Sequence, residues 1–384
     1  MEKLIVKFLT NAASDKELLE LQQWLNQTEN EKLFAKYVQL HRAINKSVLN
    51  FDSGKAKEIL FQKIEAESKI YKRKLFYQTL KYAAMVVLAI GVGLFMLTKR
   101  NEVINNPANT PVIVNNQIKS GEAKAILTLS DGSQITLNKE NRYTSENVNS
   151  DGEQLVYHNV DTPEEKITYN TLTIPRGGQY FVQLSDSTRV WLNAETQLKY
   201  PVSFERGVER EVELVYGEAY FEVSSSAKNA GAGFQVSHNS QKVDVLGTEF
   251  NIKAYKDEST TTTTLVEGKV RISNSQHQKK LIPGEQAILH FTTQEFLISN
   301  VNVFDAVSWK DGVFSFNHME LEEIMKVLSR WYDMEVIFEN PALRKQGFTG
   351  AIGKDQNIVD LLNTLKEFNS IKNYQINDKT IILK

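Results

Sequence analysis

Hydrophobic and polar positions follow four different patterns along the 384-residue chain, and each pattern predicts a different kind of structure. Residues 1–68 place apolar side chains at spacings of three and four, which is typical of amphipathic helices. Two Ser/Thr-x-x-Glu capping boxes, at 14–17 and 28–31, mark helix starts. This part of the chain is therefore predicted to be a small all-α bundle.

Four apolar residues of the predicted bundle have two interpretations: Leu21, Trp24, Phe34 and Tyr37. They either fill the core of the bundle or leave apolar surface that holds another protein. Because so few residues make only a marginal core, binding a partner protein suits this part of the chain.

The second pattern is an uncharged run from residue 82 to residue 98. As a helix this run would extend about 26 Å, close to the thickness of a bilayer core. The preceding segment, 69–81, carries five Lys or Arg residues and no acidic residue, which by the positive-inside rule places it in the cytoplasm. We expect one transmembrane helix, with residues 1–81 inside the cell and the chain from 99 onward across the membrane.

The third pattern predicts strands. Residues 99–118 lack periodicity and contain Asn and Pro clusters, so they are predicted to be a linker. From 119 to 300, short alternating runs are separated by turn residues. Within them, 126–137 and 181–192 resemble each other, and each is predicted to be a hairpin with a Ser-Asp turn. We expect an all-β domain, built as a β-sandwich, a β-roll or a β-helix.

The fourth pattern, over residues 309–384, mixes strands with two amphipathic helices. The predicted order is βαββαββ, which describes an α+β domain. The chain as a whole is therefore expected to be multidomain.

Composition excludes several kinds of chemistry. The chain has no cysteine, which excludes disulfides, cysteine nucleophiles and thiolate metal sites, and its six histidines do not stand at metal-ligand spacing. The formal net charge of −2 gives no indication of a nucleic-acid partner. We expect no conventional enzyme, no cofactor and no metal site.

Five motifs between residues 173 and 287 resemble the periplasmic domain of the FecR family. They are TIPRGGQYFVQLSDSTRVWLN at 173–193, VYGEAYFEV at 215–223, VDVLGTEFNI at 243–252, LVEGKVRI at 265–272 and PGEQA at 283–287. Residues 8–25 are similar to the short anti-sigma domain of that family. Residues 309–384 resemble the extra domain of its Bacteroidetes members, and also the short N-terminal domain of secretins and TonB-dependent transducers.

The resemblance implies a single-pass anti-sigma factor of the inner membrane, with its C-terminal part in the periplasm. Its cytoplasmic domain would bind an extracytoplasmic-function (ECF) sigma factor. Its periplasmic part would receive a signal from the signalling domain of a TonB-dependent outer-membrane transporter. Periplasmic and intramembrane proteases would relay that signal and change the transcription of uptake genes.

Gly247 and Thr248 match a position at which some relatives cleave themselves. In that chemistry the Thr hydroxyl attacks the preceding carbonyl of a strained peptide in an N-to-O acyl shift, and water then opens the ester. The alternative interpretation is a turn glycine followed by a strand threonine.

Two other functions compete with the sigma regulator. One is a membrane-tethered protein whose β domain binds a ligand or glycan without a sigma partner. The other is a component of a secretin-like envelope assembly, a hypothesis that rests on residues 309–384 alone.

Overall fold

The computed structural model describes Trp24 and residues 111–158, 167–367 and 370–384. Trp24 is helical and half-buried. The other described residues belong to one unit, Pro111–Lys384. Apart from Trp24, the predicted bundle, the basic segment and the predicted membrane span lie outside the described residues.

Alternation of apolar and polar residues produces most of the observed elements, because it buries one face of each strand and leaves the other face polar. The described strands are β1 (Val112–Val114), β2 (Glu122–Thr128), β3 (Gln134–Asn138), β4 (Tyr143–Thr144), β5 (Val148–Ser150), β6 (Gln154–Tyr157), β7 (Tyr169–Ile174), β8 (Gly178–Gln183), β9 (Arg189–Leu192), β10 (Thr196–Pro201), β11 (Arg210–Glu222), β12 (Phe234–His238), β13 (Gln241–Val245), β14 (Glu249–Ala254), β15 (Thr260–Glu267), β16 (Val270–Ser273), β17 (Gln278–Leu281), β18 (Glu285–His290), β19 (Phe296–Asn300), β20 (Val313–Glu320), β21 (Glu335–Phe338), β22 (Gly347–Gly353), β23 (Tyr374–Asn377) and β24 (Thr380–Leu383). The described α-helices are α1 (Val303–Val307), α2 (Leu321–Tyr332) and α3 (Ile358–Glu367).

Six strands close into a barrel in the order β2-β7-β10-β11-β9-β8. Neighbours are antiparallel except β8 and β2, which run parallel and close the ring. Fully buried side chains from these strands, among them Leu127, Leu172, Val182 and Leu198, join one hydrophobic core. The two hairpins predicted from the repeated Ser-Asp pattern are present as β2-β3 and β8-β9.

Strand β11 belongs to two sheets. Its first half pairs with β10 and β12, and its second half, from Gly217 onward, pairs with β9 and β14. Gly217 lies at the change of sheet with φ +100°, and a Cβ there would come within 2.4 Å of the Thr196 Cα. Only glycine fits this corner. Beyond it, β12-β13-β16-β17 extend one sheet and β14-β15-β18-β19 extend the other.

A buried ion pair holds the turn between β8 and β9. Arg210 Nη1 lies 2.6 Å from Asp186 Oδ2, and each side chain is 1% exposed. The Asp186 carboxylate also accepts hydrogen bonds from the amide and hydroxyl of Thr188. Arg210 donates to three backbone carbonyl oxygens as well. Because both buried side chains are also hydrogen-bonded within the protein, the ion pair stabilises the contact between this turn and the start of β11.

The C-terminal module (residues 309–384) completes its sheet with a strand from far upstream. Its four-stranded sheet has the order β1-β23-β24-β21, while β20 and β22 form a separate pair. Strand β1 lies in the stretch predicted to be a linker, and it pairs in parallel with β23, Ile113 opposite Ile376. Helices α2 and α3 bury their apolar faces against this module, Leu321, Leu328 and Leu362 completely.

The fold class predicted from the sequence is wrong for the described residues. They are mostly β, with a closed barrel in place of the expected β-sandwich, β-roll or β-helix, and their three α-helices are short. These helices form neither an all-α bundle nor a transmembrane helix, both of which were predicted for residues that, apart from Trp24, lie outside this part of the chain. None of the helices in this part of the chain is long and apolar enough to cross a membrane. The β architecture was missed because strands alternate with the same period in a barrel and in a sandwich.

Candidate functional site

The barrel domain (residues 119–300) and the C-terminal module share a second hydrophobic core, which we call the junction. Tyr220 of β11 and Trp191 of β9 pack there with Trp309, Phe314 and Trp331 of the module region. The barrel domain and the module are therefore joined by direct contacts between apolar side chains.

A buried carboxylate connects the two parts through hydrogen bonds. Glu218 is 9% exposed, and its Oε2 and Oε1 accept from Asn193 Nδ2 at 2.9 Å and Asn251 Nδ2 at 3.0 Å. Asn251 Oδ1 in turn accepts from the indole Nε1 of Trp309 at 3.2 Å. These hydrogen bonds thus connect the residue after β9 and strand β11, through Asn251 of β14, to Trp309 on the module side of the junction.

Lys354 lies on the other side of the junction among aromatic rings. Its Nζ is 4.3 Å from the centroid of Trp331, 4.8 Å from that of Phe314 and 5.3 Å from that of Trp309. The same Nζ donates a hydrogen bond of 2.5 Å to Gln179 Oε1 in β8. Lys354 therefore contacts both the module and the barrel.

Two opposing effects set the charge of Lys354. Burial disfavours the cation and lowers the pKa of the amine to about 7, while the negative charge of Glu218 acts in the opposite direction. The aromatic faces also favour the cation. The amine therefore changes charge near neutral pH at the contact between the two parts.

Two arginines fasten helix α2 to the barrel domain. Arg330 lies 2.6 Å from Asp257 and 3.2 Å from Glu258, and its guanidinium stacks 3.7 Å above the Tyr255 ring. Arg176 donates to two carbonyl oxygens at the C-terminal end of α2, at 2.9 and 2.6 Å. Cations at this end also complement the helix dipole, so both contacts stabilise the same orientation of α2.

The predicted self-cleavage residues lie in the turn between β13 and β14. Gly247 has φ +147°, and a Cβ there would lie 3.0 Å from the Ser225 Cα. The Thr248 hydroxyl is buried and donates to the Lys269 carbonyl oxygen at 3.0 Å. The structure therefore places the two residues at a tight glycine turn, with the Thr248 hydroxyl hydrogen-bonded to the turn between β15 and β16.

The predicted sigma-binding residues fall largely outside the described part of the chain. Leu21, Phe34 and Tyr37 lie outside it, and Trp24 alone of the four is described. No cluster of His, Cys, Asp or Glu able to hold a metal ion is found among the described residues.

Sequence reasoning missed Glu218 and Lys354. A single charged residue in a strand or near a helix start is usually solvated, so neither position drew attention. For Glu218 a signal existed, because it stands in an apolar run, next to Gly217 and before three buried residues. Lys354 follows a glycine-rich strand and has no comparable signal.

Comparisons with known proteins support the resemblance found in the motifs. Residues 170–271 match the family model "FecR protein", and residues 313–383 match "FecR, C-terminal". Two crystal structures of a proposed anti-sigma factor from Parabacteroides distasonis ATCC 8503, at 1.65 and 2.50 Å resolution, are similar to this chain. Each is 28% identical, has a TM-score of 0.50, and aligns with 56% of this chain and 98% of its own. No curated protein matches the chain.

Proposed function

Because the chain carries a FecR domain and a FecR C-terminal domain, we propose that it is a regulator that binds an ECF sigma factor through residues 1–68. The observation that supports this most directly is the likeness of 56% of the chain to a proposed anti-sigma factor. On this proposal, residues 111–384 receive the signal.

The position of β1 suggests how a signal would reach the sigma-binding residues. The first described strand after residue 110 pairs with β23 in the C-terminal module, not with the barrel. A partner that displaces the module would therefore act on the chain segment that leads back to residues 1–110. We propose that this partner is the signalling domain of a TonB-dependent transporter and that proteolysis relays the change. The inner-membrane location with a cytoplasmic N-terminus stays a prediction.

Co-purification tests the proposal. Tagged full-length protein is co-expressed with each ECF sigma factor of the source organism, and recovered sigma factor is quantified by mass spectrometry. We expect one sigma factor to co-purify and Trp24→Ala to reduce its recovery by roughly tenfold, because aromatic side chains dominate binding energy at interfaces.

Gln23→Ala, beside it in the sequence, is the control and should leave recovery unchanged. Failure to recover any sigma factor would contradict the proposal and favour a ligand-binding protein without a sigma partner.

A further inference from the structure

A cavity of about 480 Å³ lies between the barrel domain and the C-terminal module. Asn193, Asn251 and Gln286 line it from the barrel domain, and Ser308 and Phe316 line it from the module side. The volume falls in the range of roughly 300–1,000 Å³ that small-molecule sites occupy.

Neutral hydrogen-bonding side chains dominate the barrel wall of this cavity. Six of the described side chains there carry amides or hydroxyls: Asn193, Asn251, Thr262, Thr264, Gln286 and Asn300. Gln286 Nε2 donates to Thr264 Oγ1 at 2.8 Å, which leaves a second amide hydrogen, the amide oxygen and the hydroxyl hydrogen for other partners. Such a wall offers both donors and acceptors, as a ligand with many hydroxyl groups requires.

Each charged side chain that lines the cavity has a hydrogen-bond or ion-pair partner within the described part of the protein, but only Lys253 is paired with an opposite charge there. The Glu218 carboxylate accepts from two amides, and Lys253 Nζ lies 2.9 Å from Glu258 Oε2. The Asp305 carboxylate accepts from the Ser315 hydroxyl at 2.6 Å and from the Asn302 amide at 3.0 Å. The only cation among the described lining residues is already paired, and the donors to the two carboxylates are neutral, so the cavity favours a neutral ligand over an anion.

Ser308 supplies an independent indication of a ligand. The residue is 1% exposed and lines the cavity, yet among the described residues its Oγ has no hydrogen-bond partner. A buried hydroxyl without a partner costs roughly 1–3 kcal/mol, so such groups call for an explanation. A ligand hydroxyl in the cavity would satisfy it.

We propose that this cavity binds a small neutral saccharide, of mono- or disaccharide size. Amides and hydroxyls of the barrel wall and the Ser308 hydroxyl bond the ligand's hydroxyl groups. The aromatic side chains of the opposite wall, Trp309, Phe314 and Phe316, pack against its C–H faces. The proposal concerns residues 193–327 and does not depend on a sigma factor.

Binding at this place would strengthen the contact between the two parts. The ligand touches both walls, and a ligand that binds only the joined state stabilises that state by RT ln(1 + c/Kd), where c is the concentration of free ligand. A saccharide would therefore oppose any displacement of the module.

Isothermal titration calorimetry of the full-length protein tests the proposal. The probes are glucose, galactose, maltose and cellobiose, with glucuronate as an anionic counterpart of similar size. We expect at least one neutral sugar to bind saturably with a Kd below about 10 mM, and glucuronate to bind roughly tenfold more weakly.

Two serine variants separate a ligand contact from a structural role. Ser308→Ala should weaken binding by about 3–10-fold, the value of one neutral hydrogen bond, without lowering the thermal midpoint, because no internal bond is lost. The Ser185 Oγ is also buried without a partner but does not line the cavity, so Ser185→Ala should leave binding unchanged. The proposal is overturned by the absence of saturable binding, by equal binding of glucuronate and the neutral sugars, or by equal effects of the two variants.

Discussion

Lys354 shows what a single residue can contribute to this protein. Its amine lies among aromatic rings at the junction, and burial lowers its pKa to about 7. In an unfolded chain the same amine keeps a pKa near 10.5. Between these two values the unfolded state holds more protons than the folded state, so stability rises with pH.

Lys354→Met is expected to remove this dependence. The wild-type protein should gain unfolding free energy from pH 7 to pH 9, by at most about 1.4 kcal/mol per pH unit, whereas the variant should not gain this contribution. Denaturant unfolding at several pH values measures the difference. Lys242→Met removes an exposed lysine and should behave like the wild type. Parallel pH profiles for wild type and Lys354→Met would contradict the prediction.

The predicted self-cleavage also depends on individual residues, Gly247 and Thr248. We propose that the peptide bond between Gly247 and Thr248 breaks through attack of the Thr248 hydroxyl, and the positive φ of Gly247 supports a strained corner. Protein tagged at both ends should give two fragments on a blot, and Thr248→Ala should give one band. Thr248→Ser keeps the nucleophile and should still cleave. A wild-type protein that stays in one band would remove the hypothesis.

At the scale of elements, β1 is the strand that no local pattern predicted. It has three residues, and all three are exposed. Its hydrogen-bond partner is β23, and the Asp378 amide donates to the Val114 carbonyl oxygen at 3.2 Å. The strand lies in a Pro- and Asn-rich stretch with no strand pattern of its own. It adopts strand geometry because it pairs with the open edge of a sheet formed by residues much later in the sequence.

Proline substitutions test the β1 pairing with a matched pair. The N–H and C=O of one residue point to the same side of a strand, so Val114 faces β23 and Ile113 faces the open edge. Val114→Pro should therefore lower the unfolding free energy by roughly 1–3 kcal/mol and speed exchange of the Asp378 amide hydrogen. Ile113→Pro should do neither. Equal behaviour of the two variants would show that the β1 pairing contributes no stability.

At the scale of the whole molecule, local patterns predicted elements well and their assembly poorly. The hairpins at Asp131 and Asp186 follow from alternation and turn residues, which neighbouring residues determine. Barrel closure depends on the parallel contact of β2 with β8 and on the corner at Gly217, and both are set by residues far apart in the chain. The junction was missed for the same reason, because Glu218, Ser308 and Lys354 acquire their environment only when the two parts meet.

The place of β1 has a consequence for the order in which the protein is made. Ile113 leaves the ribosome long before Ile376, its partner in the sheet, and the whole barrel domain is synthesised between them. Barrel strands can pair as they emerge, but β1 must wait for β23, and closing so long a loop is slow. During that interval the segment Val112–Val114 exposes apolar side chains and unpaired backbone groups that attract other strands. The module sheet is therefore expected to form last. A chain whose synthesis stops before β23 would expose β1 as an unpaired strand.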